Sequence, residues 1–133
     1  MKKVILILFA IVLLTACSMP KDLEKINVTV TTTMISDLVQ VIGGERVSVY
    51  SMMNEGVDPH SYKARPSDVL AIESADIVAF NGLYLEAKIA DIFDSLGEQG
   101  KILMKLEDGI NPDQLLNVEE GVVDPHIWFD VDL

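Results

Sequence analysis

From Ile26 onward, β-branched runs and helical stretches alternate at least three times, and this alternation restricts the fold more than any other feature. "INVTVTTT", Ile26 to Thr33, reads as a strand. "MISDLVQVIGG", Met34 to Gly44, has apolar residues at helical spacing and ends in two glycines, a helix stop. "RVSVYSM", Arg46 to Met52, alternates and reads as a second strand. "PSDVLAIESA", Pro66 to Ala75, reads as a helix, and "DIVAFN", Asp76 to Asn81, as a strand buried on both faces. "LEAKIADIFDSLG", Leu85 to Gly97, is amphipathic, and "KILMKL", Lys101 to Leu106, is a fourth strand. The stretch from Glu107 to Val122 reads as loop, broken by Gly109, Pro112 and Gly121. Strand–helix alternation of this kind predicts an α/β fold: a parallel sheet with helices on both faces. Ligands of such sheets bind outside the carboxyl ends of the strands.

The length of 133 residues corresponds to about one domain, and half the residues are apolar, enough for a core. There is no internal repeat and no low-complexity tract. The formal net charge is −11, with the acids scattered along the chain. Nucleic-acid binding needs a basic footprint, so the charge argues against that class of partner. No glycine-rich fingerprint follows the first strand, which argues against a nucleotide site.

The amino terminus has the layout of a secretory leader. "MKK" is a positive start, and Val4 to Leu14 is an unbroken apolar run. That run is short for a bilayer span, which needs about 20 residues. "LTACS", Leu14 to Ser18, resembles the bacterial lipobox, in which cleavage precedes a cysteine that carries diacylglycerol. Cys17 is the single cysteine, so no disulfide forms within the chain. The expected layout is a signal peptide over 1–16, a polar tether over 17–25 and an amino-terminal lobe over 26–133. The body would then sit outside the cell membrane, anchored by lipid on Cys17. Without Lys2 and Lys3, eight basic residues face 21 acidic ones, net −13.

The chain has two histidines, His60 and His126, and both occur in the tripeptide Asp-Pro-His. At average proline usage, a histidine follows Asp-Pro roughly once in several hundred cases. Imidazole is a good ligand for zinc, manganese or iron. Pro59 and Pro125 stiffen the backbone just before each ring. Asp58 and Asp124 are natural partners for the second ring nitrogen or for loop amides. The first unit follows a predicted strand and the second a long loop, so a shared site has to be tertiary.

"GVDPHSYKARPSD", then "ADIVAFNGLYLE", then "DPHIWFD" together resemble the manganese/zinc solute-binding lipoproteins of bacterial ABC transporters, some described as adhesins. The likeness runs from Ile26 to about Asp132, and the lipobox agrees with it. It implies the amino-terminal lobe of a two-lobed protein that captures Mn2+ or Zn2+ and delivers it to an ABC permease. It assigns His60 and His126 as two of four metal ligands, with the other two in a second lobe beyond Leu133. The chain is thus expected to be incomplete, with that second lobe absent. Asn81 to Glu86 is a family signature to which no consistent metal role attaches. The family often continues the second unit as Trp-Leu-Asp-Pro, whereas this chain has Trp128-Phe129-Asp130-Val131. A histidine-rich loop found in some zinc-type members is missing, which tilts toward manganese.

The neighbours of the histidines have plainer expected roles. Trp128 and Tyr62 are expected to pack beside the site, Asp130 to cap the next helix, and Glu55 and Asp58 to stay off the metal. An enzyme reading would use two histidines, a carboxylate and an open zinc position. The spacing shows no nucleophile–base–orienter set. An adhesin reading would make the metal incidental, and no residue encodes a partner surface. Two imidazoles alone are expected to bind metal weakly, and protonation of either removes a ligand.

Overall fold

The computed structural model describes residues 21–130. The expected signal peptide, Cys17, the tether as far as Pro20, and Val131 lie outside the described residues. Four strands form one parallel sheet: β1 (Ile26–Val30), β2 (Val47–Ser51), β3 (Ile77–Phe80) and β4 (Ile102–Lys105). Their order across the sheet is β2-β1-β3-β4. The connecting helices are α1 (Thr33–Gly43), α2 (Pro66–Ser74) and α3 (Ala90–Glu98).

The α/β expectation is borne out, including helices on both faces. Adjacent residues of β3 show why. Val78 packs with Ile72 of α2, with Ala75 just after that helix, and with Phe93 and Leu96 of α3. Ala79, one residue on, faces the other way and joins Val28, Val30 and Ile35 of α1. Side chains alternate across a strand, so the apolar run of β3 feeds both layers. Val30, Val78 and Ala79 are fully buried. Burial of one such valine contributes roughly 1.5–3 kcal/mol. The rings of Phe80 and Phe93 stack at 4.3 Å, joining β3 to α3. The Thr29 hydroxyl donates to the Ala71 carbonyl at 3.0 Å, tying β1 to α2. On the α1 side, Ile102 and Met104 of the edge strand β4 stay exposed.

Local chemistry sets the helix ends. The Thr32 hydroxyl accepts from the Ile35 amide and caps α1. Gly44, at φ 54°, stops that helix as the paired glycines predict. Pro66 occupies the first turn of α2, where its missing N–H is harmless. Two details differ from the sequence expectation. The third helix starts at Ala90 rather than Leu85, because Leu83 and Tyr84 are left-handed and Ala87–Ile89 form a 3-10 turn. The stretch expected to be loop also contains a small hairpin, β5 (Asn117–Glu119) and β6 (Val122–Val123), turning at Glu120-Gly121.

The connections define one special place. The chain leaves β1 for β2 on one side and then returns to β3 on the other. The carboxyl ends of β1 and β3 therefore flank the topological switch point, where open α/β sheets bind ligands.

Candidate metal centre

The two Asp-Pro-His units reach this edge by different routes. The first sits in the loop after β2, which continues the sheet for two residues: the Met52 amide donates to the Val30 carbonyl and the Met53 amide to the Thr31 carbonyl, both at 2.9 Å. The second follows the β5–β6 hairpin. Each unit folds as a self-contained turn. Asp58 Oδ1 accepts the His60 amide at 3.0 Å, and Asp124 Oδ1 accepts the His126 amide at 2.9 Å. The intervening proline limits the backbone, so the aspartate reaches the amide two residues on.

The structure brings the two histidines together across 66 residues of chain. Their Nε2 atoms lie 3.4 Å apart and their rings meet edge to face at 5.5 Å. Asp124 also reaches the ring, because its Oδ1 lies 2.6 Å from His126 Nδ1. A carboxylate at that distance holds the proton on Nδ1, which leaves the Nε2 lone pair free to face His60. Asp58 spends itself differently. Its second oxygen accepts the Ser61 hydroxyl at 2.7 Å. That hydroxyl and the His60 amide hold the Asp58 carboxyl below its ordinary value. The His126 amide and then its ring N–H do the same for Asp124. Both aspartates are thus engaged as turn acceptors.

The first loop is pinned by a buried carboxylate. Asp68, fully buried near the start of α2, accepts from Arg65 Nη2 at 2.9 Å and from the Arg65 amide at 2.7 Å. It also accepts the hydroxyls of Tyr50 at 3.0 Å and Tyr62 at 2.5 Å. Burial pushes its carboxyl up, but the Arg65, Tyr62 and Tyr50 donors outweigh that and hold it below the usual range. Burial, with the Asp68 carboxylate beside it, pushes the Tyr62 hydroxyl up to about 12. Arg65 also donates to the Met52 carbonyl at 2.7 Å. Tyr62 is therefore an anchor of the His60 loop. The sequence presents Pro66-Ser67-Asp68 only as a helix start, and the acid three residues after Arg65 is the one local sign of this second task.

The second loop rests on β3. The Asn81 carboxamide donates to the Pro125 carbonyl at 2.9 Å. Trp128 lies against His126 with ring centroids 5.3 Å apart, the packing role expected of it. Asp130 follows the closing 3-10 turn, Ile127–Phe129. Among the described residues no group of three or more His, Cys, Asp or Glu is arranged to hold a metal ion.

The fold is a parallel α/β sheet with two imidazoles gathered at its carboxyl edge, the place where open sheets of this kind bind ligands. Residues 28–133 match the family described as "Zinc-uptake complex component A periplasmic", and the chain belongs to that family. Residues 1–18 match a prokaryotic membrane lipoprotein lipid attachment site, which makes the protein lipid-anchored and extracytoplasmic. The chain is 41% identical to the manganese-binding lipoprotein MntA of Bacillus subtilis over 132 residues, covering 96% of this chain and 43% of MntA. The periplasmic zinc binding protein TroA of Treponema pallidum superposes with a TM-score of 0.76 at 38% identity, over 81% of this chain and 39% of TroA. A manganese-bound periplasmic metal binding protein of Candidatus Liberibacter asiaticus superposes with a TM-score of 0.70 at 31% identity, over 81% of this chain and 40% of that one. The chain thus spans about two fifths of the length of these relatives.

Proposed function

We infer that this chain supplies half of a divalent-cation site, with His60 and His126 as ligands through Nε2. The observation that carries this is the 3.4 Å separation of the two Nε2 atoms. Two nitrogens bound about 2.05 Å from a tetrahedral metal stand about 3.3 Å apart. The pair is therefore already spaced to span one ion. Asp124 keeps His126 in the ligating tautomer. Asp58, Pro59, Asp124 and Pro125 serve as the turns that hold the two rings.

The cation is Mn2+ or Zn2+, carried as cargo and passed to an ABC permease. Cys17 is the lipid acceptor that keeps the receptor at the membrane. Residues 1–16 are the signal peptide, 17–25 the tether and 26–133 the amino-terminal lobe. The remaining ligands come from outside the described residues, in the second lobe that the family resemblance implies. The protein is a receptor rather than an enzyme: capture and release make and break no covalent bond.

Titration with Co2+ tests the site. Wild-type chain is expected to bind weakly, with a spectrum that shows nitrogen ligation. His60→Ala and His126→Ala should each abolish that spectrum. Unchanged binding in both variants would overturn the reading.

A further inference from the structure

The segment from Asn81 to Glu86 has the least ordinary backbone among the described residues. Gly82, Leu83 and Tyr84 all have positive φ, at 85°, 51° and 61°. A left-handed non-glycine residue costs on the order of 1–2 kcal/mol and persists only where its surroundings hold it. Here two carboxylates do so. Glu86 is almost fully buried. Its Oε1 accepts the Asn81 amide at 2.9 Å and the Thr31 hydroxyl at 2.7 Å, and its Oε2 accepts the Gly82 amide at 3.2 Å. These partners are all neutral, and they bridge the carboxyl ends of β1 and β3. Glu107 accepts the Leu83 amide.

The consequence lies in where Asn81 points. Its buried carboxamide donates to the Pro125 carbonyl at 2.9 Å and to the Gly82 carbonyl at 3.1 Å. The Pro125 carbonyl also accepts the Ile127 amide at 2.9 Å. With His126 at φ −83° and ψ 52°, this is an inverse γ-turn centred on that histidine. The Pro125–His126 peptide is therefore held at both ends: its carbonyl by Asn81, its N–H by Asp124. Asp124 belongs to the same loop as His126. Asn81 is the hydrogen-bond donor that ties this peptide to the sheet. The His60 loop has a separate anchor, Arg65 and Tyr62 on the Met52 carbonyl.

We propose that Asn81 is a positioning residue for the cation site. Glu86 anchors the strained turn, and the turn places the carboxamide that aims His126 at His60. This rests on the reading of the two histidines as ligands. Asparagine suits the task because it is short and donates, whereas aspartate would set an acceptor against the Pro125 carbonyl.

The test uses the full chain, with ¹H–¹⁵N spectra of the metal-free protein and Co2+ titration. In Asn81→Ala the His126 amide and ring resonances are expected to move while the His60 amide stays. Co2+ affinity should fall about 10- to 100-fold, as for other groups that orient ligands. Leu85→Ala, in the buried residue beside the turn, is the control. It should lower the thermal midpoint yet leave the His126 amide and the affinity of the folded protein within about twofold. Glu86→Gln keeps the shape and weakens the anchor. It should give the same signature at smaller amplitude, and it decides the matter if Asn81→Ala does not fold. An unmoved His126 amide, or an affinity loss no larger than that of Leu85→Ala, overturns the proposal. If His60→Ala and His126→Ala both leave Co2+ binding intact, the cation reading fails instead, and the metal-free spectra still decide whether Asn81 sets the His126 loop.

Discussion

Asp124 Oδ1 receives two hydrogen bonds from one residue, His126: its backbone amide at 2.9 Å and its ring Nδ1 at 2.6 Å. One carboxylate oxygen thereby sets both the turn and the tautomer. Asp124→Asn separates the two tasks. The amide oxygen still accepts the backbone N–H but binds the ring proton more weakly. Metal affinity should fall about 10- to 100-fold while the fold stays intact. Isothermal titration with Zn2+ checks this, and an affinity within twofold of wild type would contradict it.

Asp68→Ala should be among the most damaging single changes in the lobe. It strands the Tyr50 hydroxyl and leaves Tyr62 and Arg65 with only the Met52 carbonyl between them. Leaving a partly buried hydroxyl without its acceptor costs about 1–3 kcal/mol. The Arg65 side chain is 49% exposed, so water replaces its part of the loss. The midpoint of urea denaturation measures it.

Asp68 also gives stability a pH dependence of definite sign. Its folded-state value lies below the ordinary 3.8, so its contribution is fully present above about pH 5. It is lost as pH falls through the ordinary value and then through the folded one. Asp76, held at about 2 first by Lys21 and then by the Asn27 amide, acts in the same direction. Thermal midpoints should therefore decline steadily from pH 5 to pH 2. Asp68→Asn should flatten the curve, and added salt should weaken only the exposed Asp76–Lys21 part.

Gly82→Ala tests the strained turn from the opposite side. A Cβ there would collide with the Glu107 carboxylate, and φ is 85°. A loss of about 1–3 kcal/mol is expected from the backbone strain alone. Because Asn81 precedes it, the His126 amide should shift as well. A glycine-neutral result in denaturation would show that the turn relaxes freely.

The four sheet strands and the three helices were legible because each is written in local pattern, as apolar periodicity, as the short apolar run of β3 or as end signals. Thr32, Gly44 and Pro66 mark ends through chemistry that acts within a few residues. The β5–β6 hairpin was missed because its strands are three and two residues long, too short to show alternation. The late start of α3 was missed because Leu83 and Tyr84 are ordinary residues by propensity. The turn they belong to is held by Glu86 on the Gly82 amide and by Glu107, 24 residues on, at the Leu83 amide, contacts that propensity does not encode.

The candidate site divides the same way. The repeated Asp-Pro-His marked both histidines, and each aspartate closes its turn within two residues, so sequence alone determined which rings are offered and how each arm is stiffened. Only the tertiary structure decided that the two Nε2 atoms lie 3.4 Å apart, that Asp68 holds one loop and that Asn81 holds the other. The Asn81 contact spans 44 residues and the histidine pair 66. Such pairings arise from the strand order β2-β1-β3-β4, which no local stretch encodes, because parallel strands are joined only through crossovers.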